Sequence, residues 1–481
     1  MAYFGLADLS HSFFSMRGAL MLISCLRTVG TGLVAMGLLI TPAQATKQPE
    51  AAAEIARPGG AIPKGEGLAL VKVADGFIDP VNVANAGDKS GRVFVVERVG
   101  KIQIVYQDGT RSDKPFVDLT QLGASVINPT GGIVQSQFIE QGLYSVAFHP
   151  RFDENGYFYV HYASSQLNGN GVVSRFKVDP TSPDHVDRAR LESTEKRILT
   201  IEQPSYNNNG GQIAFGPDGY LYVSVGDGGW RAPRDAGQDT SYLLGSILRI
   251  DVDTSEDVPY KVPPDNPLVG KAGRVNQEIW LRGFHNPYEF AFDHSSGALF
   301  ITDVGDSHFE EVNFVPGGHT GGANFGWPRM EGSSCYPILG GAPQSNCEIY
   351  GNLPVASYSH PRPDGSQTTS RNGFVCASAQ GLGVVNYAGM KSVYLVADWC
   401  TGQVFGVGWD GKRWQLEELL ATELHITAGG NDEAGRVLAV SAKFYDQNES
   451  RDAVAAGALW KFVPVSEVSA EAEVAPKMRS Q

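Results

Sequence analysis

Six short runs of β-branched and aromatic residues punctuate the chain, at positions 91–97, 156–162, 219–225, 297–302, 391–397 and 435–441. Each is followed by a second run of alternating character, at 101–106, 172–178, 247–252, 311–315, 403–407 and 458–463. Short runs of this kind bounded by turn residues are strand signals, and two in succession predict a strand pair. The pair recurs on average about every 70 residues, which leaves room for four short strands and their loops. One such unit cannot bury both of its faces, so neighbours must stack. Four-stranded sheets that stack radially and close on themselves make a β-propeller, and six repeats predict six blades. The expected class is therefore all-β, a six-bladed β-propeller over residues 66–464. An open sandwich fits less well, because sandwiches rarely hold about 430 residues in one domain.

Composition agrees with that pattern. Hydrophobic residues make up 42% of the 481 and charged residues 19%, enough apolar side chains for a large core. The 57 glycines and 27 prolines imply many tight turns and few long helices. Against 38 basic residues stand 52 acidic ones, a formal charge of −14 that repels phosphate backbones and anionic headgroups. Nucleic acid is not an expected partner.

Residues 1–45 read as a signal peptide. Arg17 precedes an apolar run, Arg27 interrupts it, a second run extends to Ile40, and Ala43, Gln44 and Ala45 form a small-x-small cleavage pattern. The uninterrupted apolar stretch is shorter than the ~20 residues a spanning helix needs, so no permanent membrane anchor is expected. The true start is either Met1 or Met16. The expected location is exported, periplasmic or secreted. Residues 46–65 read as an N-terminal lead-in, and residues 465–481, rich in Glu, Ala and Ser, as a disordered tail. Cys25 lies in the signal, leaving Cys335, Cys347, Cys376 and Cys400. An even number of cysteines in an exported chain implies disulfides, with local pairing the favoured of three connectivities and four free thiols the alternative.

Common catalytic patterns are absent: there is no phosphate-binding loop, no HExxH and no nucleophile elbow. Three Gly/Asp-rich segments carry the chemistry, at 205–229, 278–293 and 302–328. Together with Val73 to Phe77, 142–150, 244–252 and 396–402, they make the chain similar to the glucose/sorbosone dehydrogenase family, which includes soluble sugar dehydrogenases dependent on pyrroloquinoline quinone (PQQ). The resemblance covers nearly all of 71–463. It implies a six-bladed propeller with PQQ and calcium bound in a depression on the axis. It also implies oxidation of an aldose or related alcohol at C1, by hydride transfer to the quinone and onward to an unidentified electron acceptor.

At three positions the chain departs from the family's chemistry. The general-base His, two residues before a Gly-Gly pair, aligns with Asn208, and an amide has no basic lone pair near neutral pH. The Arg that contacts the quinone, immediately before Asn286 and Pro287, aligns with His285, a shorter and titratable ring. The quinone-binding Gln aligns with Glu140, which would repel a polyanionic cofactor unless a metal or a proton compensates. His285 could serve as a relocated base. Asn286 and His285 with Glu140 are the expected cofactor contacts, and Glu311 with the backbone carbonyl of Phe325 the expected calcium ligands. Asp227 and Asp303 read as loop ties, His149 as a turn residue, and His360 with Arg362 as a polar loop. Asn448 opens a glycosylation sequon. Two functions follow as expectations: a PQQ-dependent sugar dehydrogenase, or a propeller that has lost the chemistry and binds a carbohydrate or a protein.

Overall fold

The computed structural model describes residues 62, 67–122, 140–336, 347–360, 376–442 and 456–477. Six four-stranded antiparallel sheets form the blades. Their innermost strands are, in order, Pro80–Asn85, Leu143–Phe148, Ile213–Phe215, Asn286–Asp293, Ala379–Val385 and His425–Asn431. The second strands are Val93–Glu97, Tyr157–Ala163, Leu221–Val225, Ala298–Val304, Val393–Asp398 and Val437–Ala442. The third are Lys101–Val105, Gly171–Lys177, Ser246–Ile250, Phe309–Val315, Gln403–Trp409 and Gly457–Pro464. These second and third strands are the six pairs that the hydrophobic pattern predicts. Among the described residues the α-helices are two short ones, Phe152–Asn155 and Arg188–Thr194.

Ring closure uses both ends of the fold. The outermost strand of blade six is Leu68–Phe77, which pairs with Gly457–Pro464 so that Leu68 faces Pro464 and Phe77 faces Gly457. Edge-to-edge pairing of the first strand with the last removes the seam at which an open ring would fray. Between blades the sheets bury aromatic layers. Phe94, Phe116, Phe148 and Phe158 meet between blades one and two at centroid distances of 4.4 to 6.2 Å. Each such ring contributes about 1.5–3 kcal/mol by burial.

Cys335–Cys347 and Cys376–Cys400 form disulfides with Cα separations of 6.1 and 5.8 Å, the local pairing. The expectation of a disordered tail from 465 is corrected. Val465–Glu467 form a 3₁₀ turn, Glu473 O accepts from Lys72 N–H at 2.8 Å, and Ala475 N–H donates to Leu70 O at 2.9 Å. The outer edge of Leu68–Phe77 offers unpaired backbone groups, and the tail pairs onto them despite its polar composition. The signal segment, most of the lead-in, Arg362 and the Asn448 sequon lie outside the described residues.

Candidate functional site

Successive blades present the ends of their innermost strands at one end of the axis. Asp79, Glu140, Asn208 and His285 each stand shortly before, or at the start of, an innermost strand, in blades one to four. A propeller thus gathers residues that are far apart in sequence around one axis.

Asn208 has φ of 55°, a left-handed conformation that Asn and His tolerate better than most residues. The turn is possible because residue 226 is glycine: a Cβ there would lie 2.1 Å from the Asn208 carbonyl oxygen. Asn208 Nδ2 donates to Asp227 Oδ1 at 3.1 Å and lies 2.8 Å from His285 Nε2. Asp227 also accepts from Gly229 N–H at 2.8 Å and from Trp327 Nε1–H at 2.9 Å. The Trp327 ring packs edge-on against the His285 ring at 4.6 Å.

His285 is buried and both of its ring nitrogens are engaged, Nδ1 lying 2.6 Å from Val304 O. Its main chain is pinned by Asp303, which accepts from His285 N–H at 3.0 Å and from Asn286 N–H at 2.6 Å. Burial pushes the imidazole pKa down, but Asp227, Asp303 and Asp306 and the bond to Val304 override it and raise it to about 9. A hydrogen bond accepted by Nε2 from Asn208 requires a neutral ring, whereas the surrounding carboxylates favour the imidazolium. The carboxylates outweigh burial, so the raised pKa favours the cation near neutral pH. That cation would require the Asn208 amide to turn its oxygen to Nε2, at the expense of the Nδ2–H bond to Asp227 Oδ1.

Glu140 joins the same network. Its carboxylate accepts from Asn209 N–H at 3.0 Å and from Asn286 Nδ2–H at 3.3 Å. Burial raises its pKa, against the pull of the Asn209 and Asn208 N–H groups, His285 and Arg98. The Arg98 guanidinium is committed to Asp79, with contacts of 2.7 and 3.0 Å. Around Glu140 lie buried polar atoms without hydrogen-bond partners: the Tyr144 hydroxyl and both side-chain polar atoms of Asn209. Flanking these residues along the chain are exposed aromatic residues, Tyr206, whose carbonyl accepts from Glu140 N–H, and Trp230, 68% exposed.

The structure therefore brings Glu140, Asn208, His285 and Asn286 together. Asp227 and Asp303 tie loops, and His149 caps a turn, receiving Arg151 N–H at 3.0 Å and pairing with Asp253. His360 is held by Glu310 at 2.6 Å. Glu311 lies on the strand paired with Asp303 and accepts from Gly332 N–H and from Asn313 Nδ2–H. Its pKa is raised well above the usual carboxylate range, first by burial and then by Asp303. Phe325 stacks on Phe284 in the core at 4.7 Å, and no hydrogen bond joins its residue to Glu311 among the described residues. Nor do three or more His, Cys, Asp or Glu side chains there cluster as a metal site. Trp327 and Arg98 escaped sequence reasoning, because an isolated Trp in a loop or an Arg after a strand carries no spacing signal.

A profile of the Glucose / Sorbosone dehydrogenase family matches residues 77–350. The chain belongs to that family. It is 30% identical over 350 residues to HIPL2 protein of Arabidopsis thaliana, covering 61% of this chain and 47% of that one. It is 33% identical over 235 residues to Hedgehog-interacting protein of Mus musculus, covering 47% of this chain and 32% of the relative. The chain thus spans about half the length of the first relative and about a third of the second. In structure it resembles the PQQ-bound aldose sugar dehydrogenase of Streptomyces coelicolor, with a TM-score of 0.58 over 84% of this chain and 99% of that one, at 20% identity. That likeness shows the fold.

Proposed function

We propose that this is an exported propeller of the family that binds carbohydrate at its axial mouth and has lost quinone-linked oxidation. The observation that carries the proposal is the self-contained network of Glu140, Asn208 and His285. PQQ bears three carboxylates, and the donor set here does not fit it: Glu140, Asp227, Asp303 and Asp306 are acidic, and the Arg98 cation is already paired with Asp79. Asn208 supplies no base, and Nε2 of His285 faces Asn208 rather than open space. Amides, carboxylates and unpartnered polar atoms, flanked along the chain by exposed rings at Tyr206 and Trp230, are the recognition set of a polyhydroxylated ligand, with apolar ring faces meeting sugar C–H faces and polar groups meeting hydroxyls.

Calcium fits better than the quinone. Among the described residues, the Glu311 carboxylate and the buried Asn313 Oδ1, which has no partner, are oxygen donors suited to a hard cation, whereas nothing joins the Phe325 carbonyl to them. There the ion would balance the Asp303 and Glu311 charges. Two disulfides support an oxidising, periplasmic or extracellular location. No helix among the described residues is long and apolar enough to cross a membrane.

Glycan-array binding followed by calorimetry tests the proposal. Saturable binding to a neutral oligosaccharide is expected, weakened about tenfold or more by Trp230→Ala or Asn208→Ala, the loss of about 1.4 kcal/mol that one stacking or hydrogen-bonding contact supplies. No saturable binding across a broad panel overturns it. A second reading, a protein partner at the same mouth, draws on the 33% identity to Hedgehog-interacting protein.

A further inference from the structure

The opposite end of the axis holds a separate site. A cavity of about 400 Å³ is lined by the innermost strands of all six blades and by Tyr394 of a second strand, its lining including Asn82, Gln212, Glu289, Gly381 and Gly429. Each innermost strand is the edge of its sheet, so its outward backbone groups find no partner within the blade. A ring of side chains at equivalent positions covers them. Asn82 Oδ1 accepts from Val146 N–H at 3.4 Å, Ser145 Oγ from Ile213 N–H at 3.1 Å, and Gln212 Oε1 from Phe290 N–H, each reaching the next blade.

Glu289 is the fourth member, and it breaks the pattern. The next blade offers Gly381, and Glu289 Oε1 instead reaches Gly429 N–H in blade six at 3.4 Å. A side chain at 381 is excluded, since its Cβ would lie 2.1 Å from the Tyr394 hydroxyl and 3.0 Å from Glu289 Cβ. Glu289 is 3% exposed, and its Oε2 has no hydrogen-bond partner among the described residues, while the neighbouring Tyr394 hydroxyl has only Thr302 beside it. Among the described residues no Lys or Arg lines the cavity; its basic side chains there are His149, committed to Asp253, and His294. An ionised Glu289 would stand in the cavity with no cationic side chain beside it among the described residues.

We propose that the axial cavity binds one calcium ion through Glu289 Oε2, with the Tyr394 hydroxyl, innermost-strand carbonyls and water completing an oxygen shell. One carboxylate among neutral oxygens in irregular geometry suits Ca²⁺ rather than Mg²⁺, at an affinity of about 10⁻⁴–10⁻³ M. The site is independent of the mouth and of Glu311.

Equilibrium dialysis of the purified full chain with ⁴⁵Ca²⁺ after chelator treatment, paired with thermal melting, tests it. Calcium is expected to raise the melting temperature of the native protein. Glu289→Gln, which keeps the Gly429 acceptor, should lose one bound ion per chain and the part of the rise which that ion supplies, while Glu311→Gln should leave this ion in place. Should Glu289→Gln fail to fold, Glu289→Asp, with a carboxylate drawn back by one carbon, should bind about tenfold more weakly. Native protein that binds no calcium up to about 10 mM, or Glu289 variants that bind as tightly as the native chain, overturn the proposal.

Discussion

His285 is where the sequence of this pocket and its electrostatics meet. Burial opposes its charge, three carboxylates favour it, and the balance lies at about pH 9. A His pKa raised in the folded state contributes stability that is full below about 6.5, the unfolded value, and is lost as pH rises through about 9. Asp303, raised to about 7 by burial despite His285 and the two N–H donors, changes in the same direction at lower pH. Thermal stability is therefore expected to fall between pH 6.5 and 9, and ¹⁵N spectra should show both His285 nitrogens protonated at pH 7.5. A ring protonated on Nδ1 alone at that pH would contradict this assignment. The same residues govern restoration of the family's chemistry. Asn208→His alone is expected to add little quinone affinity or turnover, because the new base would act beside an acid and without the family's cation. Adding His285→Arg and Glu140→Gln together should raise both, measured by quinone titration and dye reduction, since residues acting as a unit are not additive.

The elements differ in how legible they are, and the reason is burial. Second and third strands of each blade are covered on both faces, so Val93–Glu97 or Leu221–Val225 reads as an almost unbroken apolar run. Innermost strands line the axis and must carry Asn82, Gln212, Glu289 or glycines, which dilutes the strand signal and hides the polar ring. The order of the tail up to residue 477 is not legible in its composition, because it comes from an edge about 400 residues earlier, a long-range pairing. The family resemblance points to Glu140, Asn208, His285 and Asn286, which the fold brings together, whereas the Asp79–Arg98 pair and Trp327 beside them need the fold to be seen. Blades also depend on one another. Phe300, fully buried on a second strand of blade four, lies 5.1 Å from Phe314 in its own blade and 5.1 Å from Tyr394 in blade five. Phe300→Ala is expected to cost about 3–5 kcal/mol in chemical denaturation, with the mouth unaffected.

At the scale of the whole molecule, a closed ring offers two ends of one axis, and here they carry different chemistry: a carboxylate and amide mouth flanked along the chain by exposed aromatic residues, and a cavity gathered around Glu289. Closure by Leu68–Phe77 and its cover by the tail hold that ring together. A chain ending at Pro464 is expected to melt several degrees lower and to self-associate through the exposed edge, as light scattering would show. On the proposed function the scaffold is kept while the chemistry is lost, a separation that a fold permits because its chemistry resides in a few side chains at one site. The most direct test of that separation is titration of the purified protein with PQQ and Ca²⁺, followed by dye-linked oxidation of a panel of aldoses. No stoichiometric quinone binding and no turnover are expected. Tight quinone binding with sugar oxidation, abolished by His285→Ala but untouched by Asn208→Ala, would contradict the loss of chemistry and make His285 a relocated base.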